Sequence, residues 1–240
     1  MKRILLAVVC ALMVVSVSTA QKKKPQVDYV NATELTMIGK LCETTNPYHR
    51  VEVEKVEGIR KGEANLLKMA SGLAIVFKTD AKSIWVKAQY GPATSWNQYA
   101  PLASTTGFNL FIKKDGDWMW AASRAHKLAP TAKVIEAGLL NKPLTVINGM
   151  AKGEKECMLY LPIFDYVTSL EIGIEEGASI TPLENPFRHK IIIKGSSVTH
   201  GASATRSGMT YVARFSRNTG FYCCNLGFSG SSKLEREYAQ

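Results

Sequence analysis

Two hydrophobic rhythms divide the chain. From residue 27 to residue 187, short apolar stretches recur between turn residues at the spacing of β-strands. Residues 72–77 form a continuous apolar run, and residues 83–90 alternate between apolar and polar, with Thr79-Asp80-Ala81-Lys82 as the turn between them. Residues 108–112 and 118–122 flank Lys113-Lys114-Asp115-Gly116-Asp117, where Asp-Gly predicts a tight hairpin. Residues 157–161 and 167–174 read as another strand pair around residues 162–166, and residues 64–70 as a helical turn. Short strands in this sequence of turns predict a β-sandwich.

The rhythm changes after Pro182-Leu183-Glu184-Asn185-Pro186, which reads as a linker. Residues 190–194 are a strand of the buried type. Residues 208–217 suit a helix, with Met209, Val212, Ala213 and Phe215 towards one side. Residues 221–226 are a second apolar strand, running into Gly227-Phe228-Ser229-Gly230. Strand, helix, strand predicts a parallel pair with a right-handed crossover. The fold class expected is therefore mainly β: an N-terminal β-sandwich over residues 21–187, then the first βαβ unit of an α/β domain over residues 188–240.

The chemistry concentrates at one break in the pattern. Ile191-Ile192-Ile193-Lys194 gives way to Gly195-Ser196-Ser197-Val198-Thr199-His200, and Gly201-Ala202-Ser203-Ala204 can start a helix. A strand-to-helix turn of this kind lifts a serine oxygen to the C-terminal edge of a sheet and aims backbone N–H groups at what it attacks. A serine in this place can also simply cap the helix that follows.

Composition narrows the setting. Lys2 and Arg3 precede an apolar run over residues 4–17, then Ser18-Thr19-Ala20 offers small residues for cleavage, so residues 1–20 read as a signal peptide and the chain as secreted or periplasmic. That run is too short for a membrane span. The formal charge is +10, but no basic helix or aromatic-interleaved basic stripe accompanies it, so no nucleic-acid partner is expected. Cys42, Cys157, Cys223 and Cys224 fit no zinc spacing, and the adjacent pair reads as buried thiols. No metal and no cofactor are expected. Trp85, Trp96, Trp118 and Trp120 suit either a core or a platform for sugar rings; Trp118 and Trp120 fall on one face of a strand, and the core is the reading preferred.

The motifs in combination resemble those of the SGNH (GDSL-type) hydrolases, whose catalytic domain is flavodoxin-like. Gly195-Ser196-Ser197-Val198-Thr199 is similar to their first block, with Ser196 where aspartate is usual, and Asn225-Leu226-Gly227-Phe228-Ser229-Gly230 to their second. Thr205-Arg206-Ser207-Gly208-Met209-Thr210-Tyr211 resembles a secreted bacterial branch in which a β-sandwich with a Gly-x-Asp-Leu-Tyr signature precedes the esterase domain. Here Gly107-Phe108-Asn109-Leu110-Phe111 stands at that place, with Asn for Asp and Phe for Tyr. Met158-Leu159-Tyr160-Leu161-Pro162 and Ser169-Leu170-Glu171-Ile172-Gly173 resemble later strands of the same domain.

The resemblance implies Ser197 as nucleophile, with its own N–H and that of Gly230 in the oxyanion hole. The other reading of Gly230 is a plain turn glycine. It implies an ester substrate, expected to be an acylated carbohydrate. His200 does not occupy the place of the family's base and is expected to be packed or solvent-facing. The family's oxyanion-hole asparagine comes from Gly-x-Asn-Asp, and its base and orienting acid from Asp-x-x-His; the chain has neither pattern. The expectation is a form truncated before these blocks and nearly inactive alone. The alternatives are a hydrolase completed by a separate chain that carries them, and a non-catalytic carbohydrate-binding module.

Overall fold

The computed structural model describes residues 25–91, 100–126 and 142–232. The expected signal peptide, Trp96 and the residues after 232 lie outside them.

Twelve strands are present among the described residues, in three sheets. The first sheet runs β1 (Val27–Asn31), β9 (Val167–Glu175), β4 (Ile84–Tyr90), β7 (Leu144–Ile147), all antiparallel. The second runs β10 (Ile180–Pro182), β3 (Ala74–Thr79), β8 (Lys155–Tyr160), β5 (Phe108–Lys114), β6 (Asp117–Arg124), with β2 (Thr36–Ile38) also on β3. The third is the parallel pair β11 (Arg188–Gly195) and β12 (Phe221–Gly227). Among the described residues the α-helices are α1 (Lys61–Leu67), α2 (Leu102–Thr105), α3 (Ser197–His200) and α4 (Tyr211–Thr219).

The expected fold class holds: a β-sandwich followed by a βαβ unit. Between the two large sheets lies a core of Ile75 and Phe77 from β3, Ile84 and Val86 from β4, Phe108 and Leu110 from β5, and Leu159 and Ile172. The continuous apolar run of β3 follows from burial on both faces. Ile75 and Phe77 point into the sandwich, while Ala74 and Val76 point towards a second cluster with Met158, Tyr160, Leu183, Phe187 and Ala213. On β4 one face stays polar and half-buried, which is why it alternates. The Asp-Gly hairpin forms as expected. Asp115 and Gly116 both take positive φ (52° and 92°), the backbone that suits the twist of the strands it joins.

Several expectations fail for identifiable reasons. β8 and β9 do not pair with each other: β8 lies between β3 and β5, and β9 between β1 and β4. Likewise residues 79–82 form a corner between sheets, not a hairpin; Thr79 Oγ1 caps it, accepting from the Ala81 N–H at 3.1 Å and donating to the Ser179 carbonyl at 2.6 Å. Residues 182–186 are no free linker, because Pro182 ends β10 and Leu183 is buried against β3. The helix expected over 208–217 is a 3-10 turn (Ser207–Met209) followed by α4. It buries Val212, Ala213 and Ser216 and turns Phe215 outward. Trp120 is 53% exposed and not a core residue, whereas Trp118 packs against the second cluster.

Among the described residues the four cysteines, Cys42, Cys157, Cys223 and Cys224, are free; Cys223 and Cys224 are buried, and burial pushes the Cys224 thiol up to about 11. The strand at residues 190–194, expected to be of the buried type, is half-exposed, with Ile192 53% exposed. It pairs with β12 on one edge, while α4 packs against β12, so apolar character alone does not bury it.

Two isoleucines on strands test this packing. Ile75→Ala is expected to cost about 2–5 kcal/mol in urea unfolding, and Ile192→Thr less than about 1 kcal/mol. Equal losses would contradict the exposed placement of β11.

Candidate active site

β11 and β12 end level with each other. Gly195 stands opposite Gly227, and the Phe228 N–H donates to the Gly195 carbonyl at 2.8 Å. Both chains then turn over the same rim. From β11 comes the single turn α3, which begins at Ser197 and stops at Gly201 in the left-handed region (φ 115°). Gly201-Ala202-Ser203-Ala204 is thus the turn that ends a helix, not one that starts it. From β12 comes the loop that carries Gly230, exposed and at φ 75°.

Ser197 is half-buried on this rim, and Thr199 and His200 point inward. As the first residue of the turn, Ser197 has an N–H with no intrahelical acceptor. The capping position belongs to Ser196, whose side chain makes no capping bond. Neither serine therefore serves as a helix cap. The turn can lie this close to the strand ends because Gly195 and Gly227 lack side chains. A Cβ on Gly195 would overlap Thr199 Oγ1, and one on Gly227 the backbone N of His200.

Beneath the rim is a buried polar network that the sequence did not announce. Asn225 donates from Nδ2 to the Thr199 carbonyl (2.7 Å) and to Ser71 Oγ (3.2 Å), and its Oδ1 accepts from the Gly227 N–H (2.8 Å). One amide thus ties the serine-bearing turn to the end of β12. Ser71 Oγ in turn donates to the His200 carbonyl. Arg50, fully buried, donates from Nη1 to the Asn225 carbonyl (2.8 Å) and the Gly227 carbonyl (3.2 Å), and from Nη2 to the carbonyls of Leu66 and Gly227. Burial pulls this guanidinium down to about 9. Of the side chains in this network, Arg50 and Ser71 lie outside every motif that the sequence singles out, and Asn225 lies in one without a role there.

His200 is packed, as expected. It is fully buried, its ring lies 4.7 Å from that of Phe164, and Nδ1 accepts from the Ser229 N–H at 3.4 Å. Burial first, and the nearby Arg50 charge second, hold it well below its ordinary value of 6.5. The imidazole is therefore neutral and committed to the Gly230 loop, which makes it a tie between the two rim segments.

Asn109, which stands at the aspartate position of the Gly-x-Asp-Leu-Tyr signature, joins the sandwich to the βαβ unit. Its Oδ1 accepts from the Gly208 N–H (3.1 Å) and its Nδ2 donates to the Ala122 carbonyl (2.8 Å). Among the described residues no cluster of His, Cys, Asp or Glu could hold a metal ion, and no helix is long and apolar enough to cross a membrane.

Residues 27–180 match the GxDLY family, the N-terminus of SGNH-hydrolase-type esterases, and residues 188–240 match the GDSL-like lipase/acylhydrolase family. No curated protein matches the chain. Among solved structures, a protein from Bacteroides ovatus described as a GDSL-like lipase is similar at 36% identity and a TM-score of 0.80, over 89% of this chain and 60% of that one. A salicylyl-acyltransferase from a tetracycline biosynthetic pathway is similar at 22% identity and a TM-score of 0.64, over 89% and 57% of the two chains. A family two carbohydrate esterase from Cellvibrio japonicus gives 10% identity and a TM-score of 0.51, over 87% and 54%. The last two share the fold. The chain spans about three fifths of the length of these relatives.

The His200 tie makes stability depend on pH. An imidazole depressed in the folded state is protonated more readily in the unfolded chain, so its contribution is complete above about 6.5 and is lost as pH falls towards the folded value. Melting between pH 7 and pH 5 should show a drop for the wild type that His200→Asn, which keeps an acceptor for Ser229, reduces. His49 is depressed in the same direction, also by burial first, and is common to both proteins, so the difference between them reports His200. Equal slopes would remove His200 from this role.

Proposed function

Because the chain belongs to the SGNH-hydrolase-type (GDSL-like) esterase family, we propose that it carries the nucleophile and part of the oxyanion hole of a secreted ester hydrolase acting on acylated carbohydrates. The observation that carries this reading is the shared rim: Ser197 follows β11, Gly230 follows β12, and those strands are paired level with one another. In the proposed reaction Ser197 Oγ bonds to the ester carbonyl carbon as its proton passes to a base. The carbonyl electrons move to oxygen, where the N–H groups of Ser197 and Gly230 receive the charge. Collapse expels the alcohol and leaves an acyl-enzyme, which water cleaves by the same sequence. The apolar run before Ala20 supports a cleaved leader and a periplasmic or extracellular site of action. The acylated carbohydrate is the substrate class that the resemblance of the motifs implies.

The proton acceptor is not among the groups gathered here. His200 is committed to Ser229, and no Asp-x-x-His occurs in the 240 residues. Without a base, loss of activity on the order of a million-fold is expected. We read residues 1–240 by themselves as nearly inert, with activity gained when the asparagine, aspartate and histidine of the remaining blocks are supplied. Hydrolysis of a small chromogenic acetate should be the same for the chain and for Ser197→Ala. Mixed with the complementing polypeptide, activity should rise for the wild type alone. Turnover by the isolated chain that Ser197→Ala abolishes would contradict inertness; no gain on mixing would contradict completion.

A second reading rests on Trp120. Its ring is exposed on β6, with the Arg206 guanidinium 4.7 Å from the ring centre and Met119 also exposed. An exposed indole beside a hydrogen-bond donor suits a sugar ring, and a carbohydrate-binding sandwich needs no base. On that reading, titration with neutral oligosaccharides shows binding that Trp120→Ala removes while the melting temperature holds. Absence of binding by the wild type excludes it.

A further inference from the structure

Arg50 is an unusual place for a protein to keep a charge. It belongs to the segment between β2 and α1, far in sequence from the rim, yet its guanidinium lies fully buried beneath it. Each acceptor found for it is a carbonyl or amide oxygen: the Asn225 and Gly227 carbonyls of β12, the Leu66 carbonyl of α1, and Asn225 Oδ1 at 3.4 Å. Burying an unneutralised cation is costly unless several fixed dipoles replace the water it loses. The gain must therefore lie in what those dipoles are made to do.

The geometry shows what they are made to do. Two of the three carbonyls that Arg50 gathers belong to Asn225 and Gly227. Gly227 leads directly into the Phe228–Gly230 loop. Asn225 passes the constraint on through Nδ2 to the Thr199 carbonyl, in the turn that carries Ser197. One planar fork thus sets both halves of the rim, a task for which an ammonium has the charge but not the shape. Around it Val51, Val53, Leu67, Leu226 and Phe228 exclude water, so these hydrogen bonds hold their full strength.

We infer that Arg50 is a positioning residue for the ester-hydrolysing site, holding the Ser197 turn and the Gly230 loop in register from a segment outside the hydrolase unit. This rests on the reading of Ser197 as nucleophile. Arg50 touches no reacting atom and acts through Asn225 and Gly227.

The test compares the full chain with Arg50→Lys and Arg50→Met, by two measurements. In hydrogen–deuterium exchange, Arg50→Lys should raise exchange about tenfold or more in peptides covering 195–201 and 226–232, with β3 and β8 unchanged. Arg50→Met should do the same or more. Exchange within twofold of the wild type at the rim, or an equal rise in β3 and β8, overturns the inference; the second outcome marks Arg50 as a general structural residue. The other measurement is the rate of Ser197 phosphonylation by excess fluorophosphonate at alkaline pH, read by mass spectrometry against Ser197→Ala. A slow adduct at Ser197 is expected in the wild type and about tenfold slower formation in Arg50→Lys, with little change in melting temperature. An equal rate in the two overturns the role of Arg50 alone. No adduct at Ser197 in the wild type overturns the hydrolase reading, and the positioning role falls with it.

Discussion

The two parts of the chain are joined by buried hydrogen bonds at the carboxyl end of β12. Asn225 and Arg50 are buried there, and each bonds backbone carbonyls from distant parts of the sequence, Arg50 through both terminal nitrogens. Buried polar groups need partners, and one partner lost leaves the others exposed to the full desolvation cost. An apolar contact tolerates small sliding; this one does not. The join therefore fixes not only that the βαβ unit sits on the sandwich but also the height at which the strand ends meet. Asn109 makes a second polar joint, between Gly208 in the turn before α4 and Ala122 of β6.

That constraint explains why the rim is ordered on the described part of the βαβ unit. Two parallel strands and one helix bury little apolar surface by themselves, and β11 still shows Ile192 to solvent. The sandwich supplies the missing support. β3 turns Ala74 and Val76 towards α4 and β12, and the segment around Val51 and Val53 closes over Leu226 and Phe228. A serine and a glycine loop on adjacent strand ends are then held by elements outside their own unit, which suits the oxyanion-hole role proposed for them.

Local chemistry was legible in the sequence, and long-range pairing was not. The Asp115-Gly116 turn was readable because positive φ at two successive residues demands those residue types. The Ser197 turn was readable because a strand, a glycine and small hydroxyl residues occur in one short block. The misplaced pairs have another origin. Residues 157–161 and 167–174 looked like a hairpin because they are neighbours in sequence, but the connection between them crosses from one sheet to the other. Ile192 and Trp120 carried apolar character that predicts burial only where something lies opposite. Arg50 left no signal at all: a lone arginine in a loop is ordinary until Asn225, 175 residues away, is seen to meet it.

The pairing of β1 with β9 has a consequence for how the molecule is assembled. Asn31 stands opposite Glu171, so the first strand of the sandwich has no partner until β9, about 140 residues later, has been synthesised. The same is true of the loop that holds Arg50, which closes on β12 near the end of the described chain. Such distant closures are slow because chain entropy is lost before the contacts repay it. The amino-terminal strand of the sandwich waits for residues 167–175, and β12 is the strand that locks the much earlier Arg50 loop into place.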